Sequence, residues 1–85
     1  MAREYHNLKI QPIYYRTIEK GLKNFEVRFN DRNFKVGDVL RLQEWVNGVY
    51  TGRYIMADVT YILDDPLYCK EGYVIMALAN IKVFN

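Results

Sequence analysis

The chain has 85 residues, 51% hydrophobic and 15% aromatic, with a formal net charge of +2. That length suits one domain, 1–85, with a single modest core, and so small a net charge does not by itself announce a nucleic-acid binder. Cys69 is the sole cysteine and His6 the sole histidine, which excludes an intrachain disulfide and a Cys/His zinc set, so no cofactor or metal is expected.

His6–Ile10 alternates and predicts a first strand with His6, Leu8 and Ile10 on one face. Gln11-Pro12 opens a short helix, since proline is favoured in the first helical turn, where its missing N–H has no intrahelical partner. Ile13, Tyr14, Thr17 and Ile18 share a helical spacing, and Gly21 ends the element as a left-handed C′ residue. Asn24–Phe29 predicts a second strand, with Phe25, Val27 and Phe29 on one face and Glu26 and Arg28 on the other. For a half-exposed sheet the default puts the apolar face inside.

Asn30–Asn33 is a turn, and Val36-Gly37-Asp38 bends the chain into a strand over Val39–Val46. Asn47-Gly48 predicts a type I′ hairpin, because both residues tolerate positive φ. A long strand then returns over Tyr50–Leu63, bent near Gly52. Asp64–Gly72 reads as a surface loop carrying Cys69 as a free thiol. Tyr73–Phe84 is apolar on nearly both faces, which predicts a central strand. Five strands and one early helix in so short a chain imply a mainly β (α+β) fold, a small barrel of five or six strands with the helix capping one opening.

The chemistry concentrates in Gly21-x-Lys23-x-x-Glu26-x-Arg28. Glu26 and Arg28 share a strand face. Lys23 has the opposite parity, but it follows Gly21 at the strand mouth, where a turning backbone lets its amine swing to the polar side. A cation, a carboxylate and a guanidinium at one strand end suit a polar, planar ligand. Arg28 offers a fork for phosphate or a base edge, Lys23 a point charge, and Glu26 an acceptor for an exocyclic amine. Asp31 and Arg32 follow in a turn that can reach the same cleft. The bland alternative is a salt-bridge lattice holding the Asn30–Asn33 turn.

Elsewhere the signals are thinner. His6 has no second metal ligand beside it in sequence and reads as a core or cleft residue. Trp45, Tyr50, Tyr54 and Tyr61 offer a base-stacking surface, although cross-strand packing is expected to bury at least two of them. Eight basic residues face four acidic ones through Lys35, and four face six from Val36 onward, so the first half can form a basic face. The first residues lack an apolar leader and no apolar run approaches 18 residues, so the expected location is cytoplasmic, away from membranes.

The order of these pieces resembles the ASCH domain, a member of the PUA-like superfamily of small β-barrels. The resemblance rests on the helix followed by Gly21-x-Lys23-x-x-Glu26-x-Arg28 and on Val36-Gly37-Asp38-Val39-Leu40 opening the next strand. His6-x-Leu8-Lys9, Asn30-Asp31-Arg32, Tyr50-Thr51-Gly52-Arg53 and Gly72-Tyr73-Val74 are similar to a subfamily of small bacterial and phage proteins. The likeness runs from about His6 to Phe84. It implies a PUA-like barrel with a cleft between helix and sheet that binds RNA, a nucleotide or a nucleoside through Lys23, Glu26 and Arg28, with Asp31 and Arg32 beside them. One group of ASCH proteins is an amidohydrolase of N4-acylated cytidine using lysine, threonine and glutamate. Lys23 matches the lysine, but Glu26 stands where that group has its threonine. A hydrolase would therefore have to use Lys23 and Glu26 as an acid/base pair. A third alternative is a protein-interaction module of a phage or mobile element.

Overall fold

The computed structural model describes residues 3–85. Strands β1 (Tyr5–Ile10), β2 (Phe25–Phe29), β3 (Val39–Val46), β4 (Val49–Leu63) and β5 (Tyr73–Phe84), with one helix, α1 (Pro12–Glu19), give the mainly β fold expected from the sequence. The strands form one sheet in the order β1-β3-β4-β5-β2, curled into a half-barrel, with β1 parallel to β3 and the other pairs antiparallel. The last strand is interior to the sheet, as its two apolar faces predict. Asn47 and Gly48 adopt φ of 49° and 83° in the two-residue hairpin between β3 and β4, the positive pair a type I′ turn requires.

Inward residues of β1, β3, β4 and β5 meet at a core that includes Leu8, Leu40, Leu42, Ile55 and Met76, closed by Tyr15 and Ile18 of α1 and by Phe34. The helix ends in a Schellman motif. Leu22 N–H donates to Thr17 O and Gly21 N–H to Ile18 O, both at 2.9 Å, with Gly21 at φ 75°.

Four expectations fail. The buried helix face is Tyr15 and Ile18, while Ile13 and Tyr14 stay exposed. With only two turns against a curved sheet, α1 docks through one i, i+3 pair and leaves its neighbouring stripe outside. Strand β2 is inverted relative to the default: Glu26 is buried and Arg28 half-buried, whereas Phe25, Val27 and Phe29 face solvent. Pairing with β5 sets this parity, because Glu26 lies opposite buried Met76 and Arg28 opposite buried Val74. Cys69 is a free thiol but a buried one, its Sγ donating to Leu63 O at 3.3 Å. None of Trp45, Tyr50, Tyr54 and Tyr61 is buried. Three of them pack in ring pairs, Trp45 edge-on to Tyr50 and Tyr54 stacked on Phe84, each at 4.7 Å between centroids, and Tyr61 is exposed.

Candidate functional site at the open edge of the sheet

Strands β1 and β2 end the sheet order and do not pair with each other. Between them, roofed by α1, lies a cleft of about 680 Å³ whose wall includes Lys23, Glu26 and Arg28 from the motif and Tyr14 and Thr17 from the helix. Glu26 is the hub. Its Oε1 pairs with Lys23 Nζ, and its Oε2 accepts from Arg28 Nε at 2.9 Å. The Lys23 amine has thus swung to the polar side, across the strand mouth. Its ammonium also lies 5.4 Å from the Tyr14 ring centroid and 5.2 Å from that of Phe25, within cation–π range.

Both oxygens of Glu26 are therefore occupied by neighbours. In this arrangement Glu26 is a buried anion that fixes two cations, and the donors left for a ligand belong to Lys23 and Arg28. Lys9 lines the cleft but sends its ammonium outward, 4.1 Å from the Trp45 ring centroid. The ionic wall consequently carries one positive charge in excess, beside apolar Ile13, Leu22 and Val27.

Arginines also bridge the open seam. Arg28 Nη2 donates to Lys9 O at 2.7 Å, and Arg32 Nη1 donates to Asn7 O at 2.9 Å. Asn7 and Lys9 are two apart, so their carbonyls point to the same free edge of β1. Side chains here satisfy acceptors that a further strand would otherwise take. The structure thus brings together Lys23, Glu26 and Arg28, whereas Arg32 is on the seam below them. Asp31 is exposed, 3.9 Å from Arg32 Nε, and lines no part of the cleft.

A second ionic cluster escaped the sequence reading. Glu44 points inward with Leu40 and Leu42 and is fully buried. Opposite it the register jumps: Gln43 pairs with Tyr54 and Trp45 with Tyr50, so residues 51–53 bulge against a single residue. Gly52, at φ 93°, permits the bulge. The distortion aims two flanking side chains at Glu44 Oε1, which accepts from Thr51 Oγ1 at 2.8 Å and from Arg53 Nε and Nη2 at 2.8 and 2.6 Å. Glu44 Oε2 has no protein donor. Burial pushes the Glu44 carboxyl up, but the hydrogen bonds from Arg53 and Thr51, with the charges of Arg53 and Arg16, hold it below the ordinary glutamate value. The same neighbourhood raises the Tyr15 phenol, mainly by burial and then by the charge of Glu19. The parity of Glu44 with Leu40 and Leu42 was the available signal.

His6 is buried at the opposite end of the sheet's interior, its Nε2 2.8 Å from Asp38 Oδ2, with the ring edge-on to Phe34 at 4.8 Å. Glu4 Oε2 lies 3.9 Å from the same nitrogen, so the histidine has the acidic neighbours that sequence alone did not place beside it. Asp38 also accepts from the Lys35 N–H at 3.0 Å. Burial raises its carboxyl, but the bonds from His6 and from backbone N–H groups outweigh that and leave it below the usual aspartate value. This pair ties the Val36-Gly37-Asp38 bend to β1.

Fold and site together define a small half-barrel with a cation-lined cleft at its unpaired edge. The chain belongs to the family described as a domain of unknown function, DUF3850, whose model matches residues 5–78. It is 41% identical over 64 residues to an uncharacterised 12.9 kDa protein in the GpA 3′ region of Escherichia phage P2. The match takes in 75% of this chain and 59% of that relative, so the chain spans less than two thirds of the relative's length. Neither description names a ligand or an activity. No helix among the described residues is long and apolar enough to cross a membrane.

Proposed function

We propose that the cleft binds a nucleotide or a short single-stranded stretch of RNA. Phosphate meets Arg28 and Lys23, and the base lies against the rings of Tyr14 and Phe25. The observation carrying this reading is that a buried carboxylate holds two cations at the wall of an open cleft flanked by aromatic rings. Preorganised cations lose little freedom on meeting an anion, and a ring beside them gives a base a stacking surface of about 1–3 kcal/mol. The ASCH resemblance supports the same ligand class. The hydrolase alternative needs a free base at Glu26, whose two oxygens are already taken.

Titration of nucleotides and short oligonucleotides tests the reading, with acylated nucleosides included to detect turnover. Two phosphate contacts on a single strand give a log–log salt slope near about −1.4. Arg28→Lys keeps the charge but loses the fork that bonds Glu26 and Lys9 O together, and is expected to weaken binding by about 1–3 kcal/mol. Absence of saturable binding by any of these ligands, or an affinity indifferent to Arg28→Lys, would refute it.

A further inference from the structure

The inverted strand leaves a second apolar surface, which adjoins the cleft along Phe25 and Val27 and runs on across β5 to the end of β4. Register aligns Phe25 with Ala77 and Tyr61, Val27 with Ile75 and Leu63, and Phe29 with Tyr73. These are the outward positions of β2, β5 and the end of β4, because the alternate residues Glu26, Val74 and Met76 are buried and Ile62 packs against the core. None of these residues is charged, and the ammonium groups that reach their rings, Lys23 at Phe25 and Lys70 at Tyr73, stand at the two ends of the face. Phe25, Val27, Phe29 and Tyr61 are 42, 50, 54 and 62% exposed. Phe29 is also held in place: its ring sits edge-on to Tyr73 at 5.5 Å and over Gly72, where a Cβ would meet it at 2.5 Å. Scattered surface apolar residues are ordinary, but three adjoining rows of them mark an interaction site.

The ends of this face differ in charge. Strands β2 and β4 run in the same direction, each antiparallel to β5. Lys20 precedes β2 at one end, next to Lys23, whose ammonium Glu26 holds, while Asp64, Asp65 and Glu71, with Lys70 above Tyr73, flank the face at the other. We infer that a second copy of this chain packs on this face, sheet against sheet, about a two-fold axis that runs the strands of the two copies antiparallel. A two-fold contact sets a surface against itself. An uncharged centre meets itself without repulsion, and the antiparallel arrangement brings the basic end of one copy to the acidic end of the other. Three carboxylates at one end disfavour a phosphate chain along the same rows.

Area sets the strength. An aromatic side chain covers about 150–250 Å², so the four residues above expose roughly 400 Å², and their half-exposed neighbours bring the face to roughly 600 Å². Two copies then bury about 1,200 Å², the lower bound for a specific stable interface. The dimer is reversible and concentration-dependent.

Sedimentation velocity over a dilution series from high to low micromolar reads this directly. The wild-type coefficient falls on dilution, from dimer to monomer. Phe29→Lys and Tyr61→Lys lie on different strands and touch neither cleft nor core; each raises the dimer dissociation constant by at least about tenfold, with unchanged circular dichroism. Three outcomes overturn the inference: a wild type monomeric at every concentration, a dimer that survives both substitutions, or a monomer whose oligonucleotide affinity falls in Tyr61→Lys, which would give the face to nucleic acid. The cleft reading stands or falls separately, since neither substitution changes a residue that lines it.

Discussion

Glu26 and Glu44 are both buried carboxylates held by cations, one on β2 and one on β3, and they do different things. Glu26 shares its two oxygens between Lys23 and Arg28, which also line an open cleft. Glu44 takes three donors on one oxygen, and those donors come from a bulge in its own hairpin. A carboxylate that divides its charge between a lysine ahead of its strand and an arginine on it organises a surface. One that gathers a single arginine and a hydroxyl from one distorted strand locks a local backbone shape. The difference lies in where the cations' remaining donors go, and not in the burial of the anion.

The largest expected effect separates the two sites. Glu26→Ala leaves Lys23 and Arg28 side by side and short of a counter-ion at a largely buried wall. Breaking a buried pair from one side costs about 3–5 kcal/mol; because both cations reach water at the cleft, about 2–4 is expected here, read by chemical denaturation. Nucleotide binding should fall with it, since the cations lose their shared anchor. Full stability in Glu26→Ala would show that the triad is only a surface lattice.

Glu44→Gln should cost less, about 1–2 kcal/mol. Arg53 is half in water and rehydrates, and the change removes charge from an oxygen that no protein donor satisfies. Ligand binding should not move. This variant also carries a pH signature. The Glu44 carboxyl sits below its ordinary value when folded, so as pH falls the unfolded chain takes up a proton before the folded one does. The stability from its pairing is complete above the unfolded glutamate range, near pH 4–5, and is lost as pH drops toward the folded value. Asp38, and Asp58 bonded by Asn80 and Arg3, are lowered in the same sense. Acid melts of wild type should therefore fall through that window, and Glu44→Gln should fall less steeply. Parallel curves would mean that Glu44 contributes nothing to acid lability.

The sequence was informative about spacing and uninformative about side. Strict alternation over Asn24–Phe29 separates Glu26 and Arg28 from Phe25, Val27 and Phe29, but a period of two is symmetric between faces. What breaks the symmetry is Met76 opposite Glu26, a pairing between strands fifty residues apart. The helix shows a similar one-residue ambiguity, since Tyr14 and Tyr15 satisfy the same spacing and the curvature of the sheet decides which is buried. Lys23 was legible because its route to Glu26 is local. Arg32 was not, because its acceptor, Asn7 O, becomes an open edge only once the sheet has curled. The Thr51-Gly52-Arg53 bulge left a mark in Gly52, but its target on the neighbouring strand did not announce itself.

The smallest expected effect concerns Cys69, in the loop that supplies the acidic end of the proposed dimer face. Its thiol is buried and donates to Leu63 O, so the sulfur ties the Asp64–Gly72 loop back to the end of β4. Serine can make the same bond with a stronger donor, while losing some apolar contact. The two changes oppose each other, and Cys69→Ser should shift stability by less than about 1 kcal/mol. Cys69→Ala removes the donor and leaves the carbonyl of Leu63 to find another partner, so it should cost more than the serine variant. Denaturation of the pair measures the bond itself. If alanine is as stable as serine, the loop is held by its backbone turns, Tyr68 and Cys69 N–H to Asp65 O at 2.9 Å, and the thiol is a packing group alone.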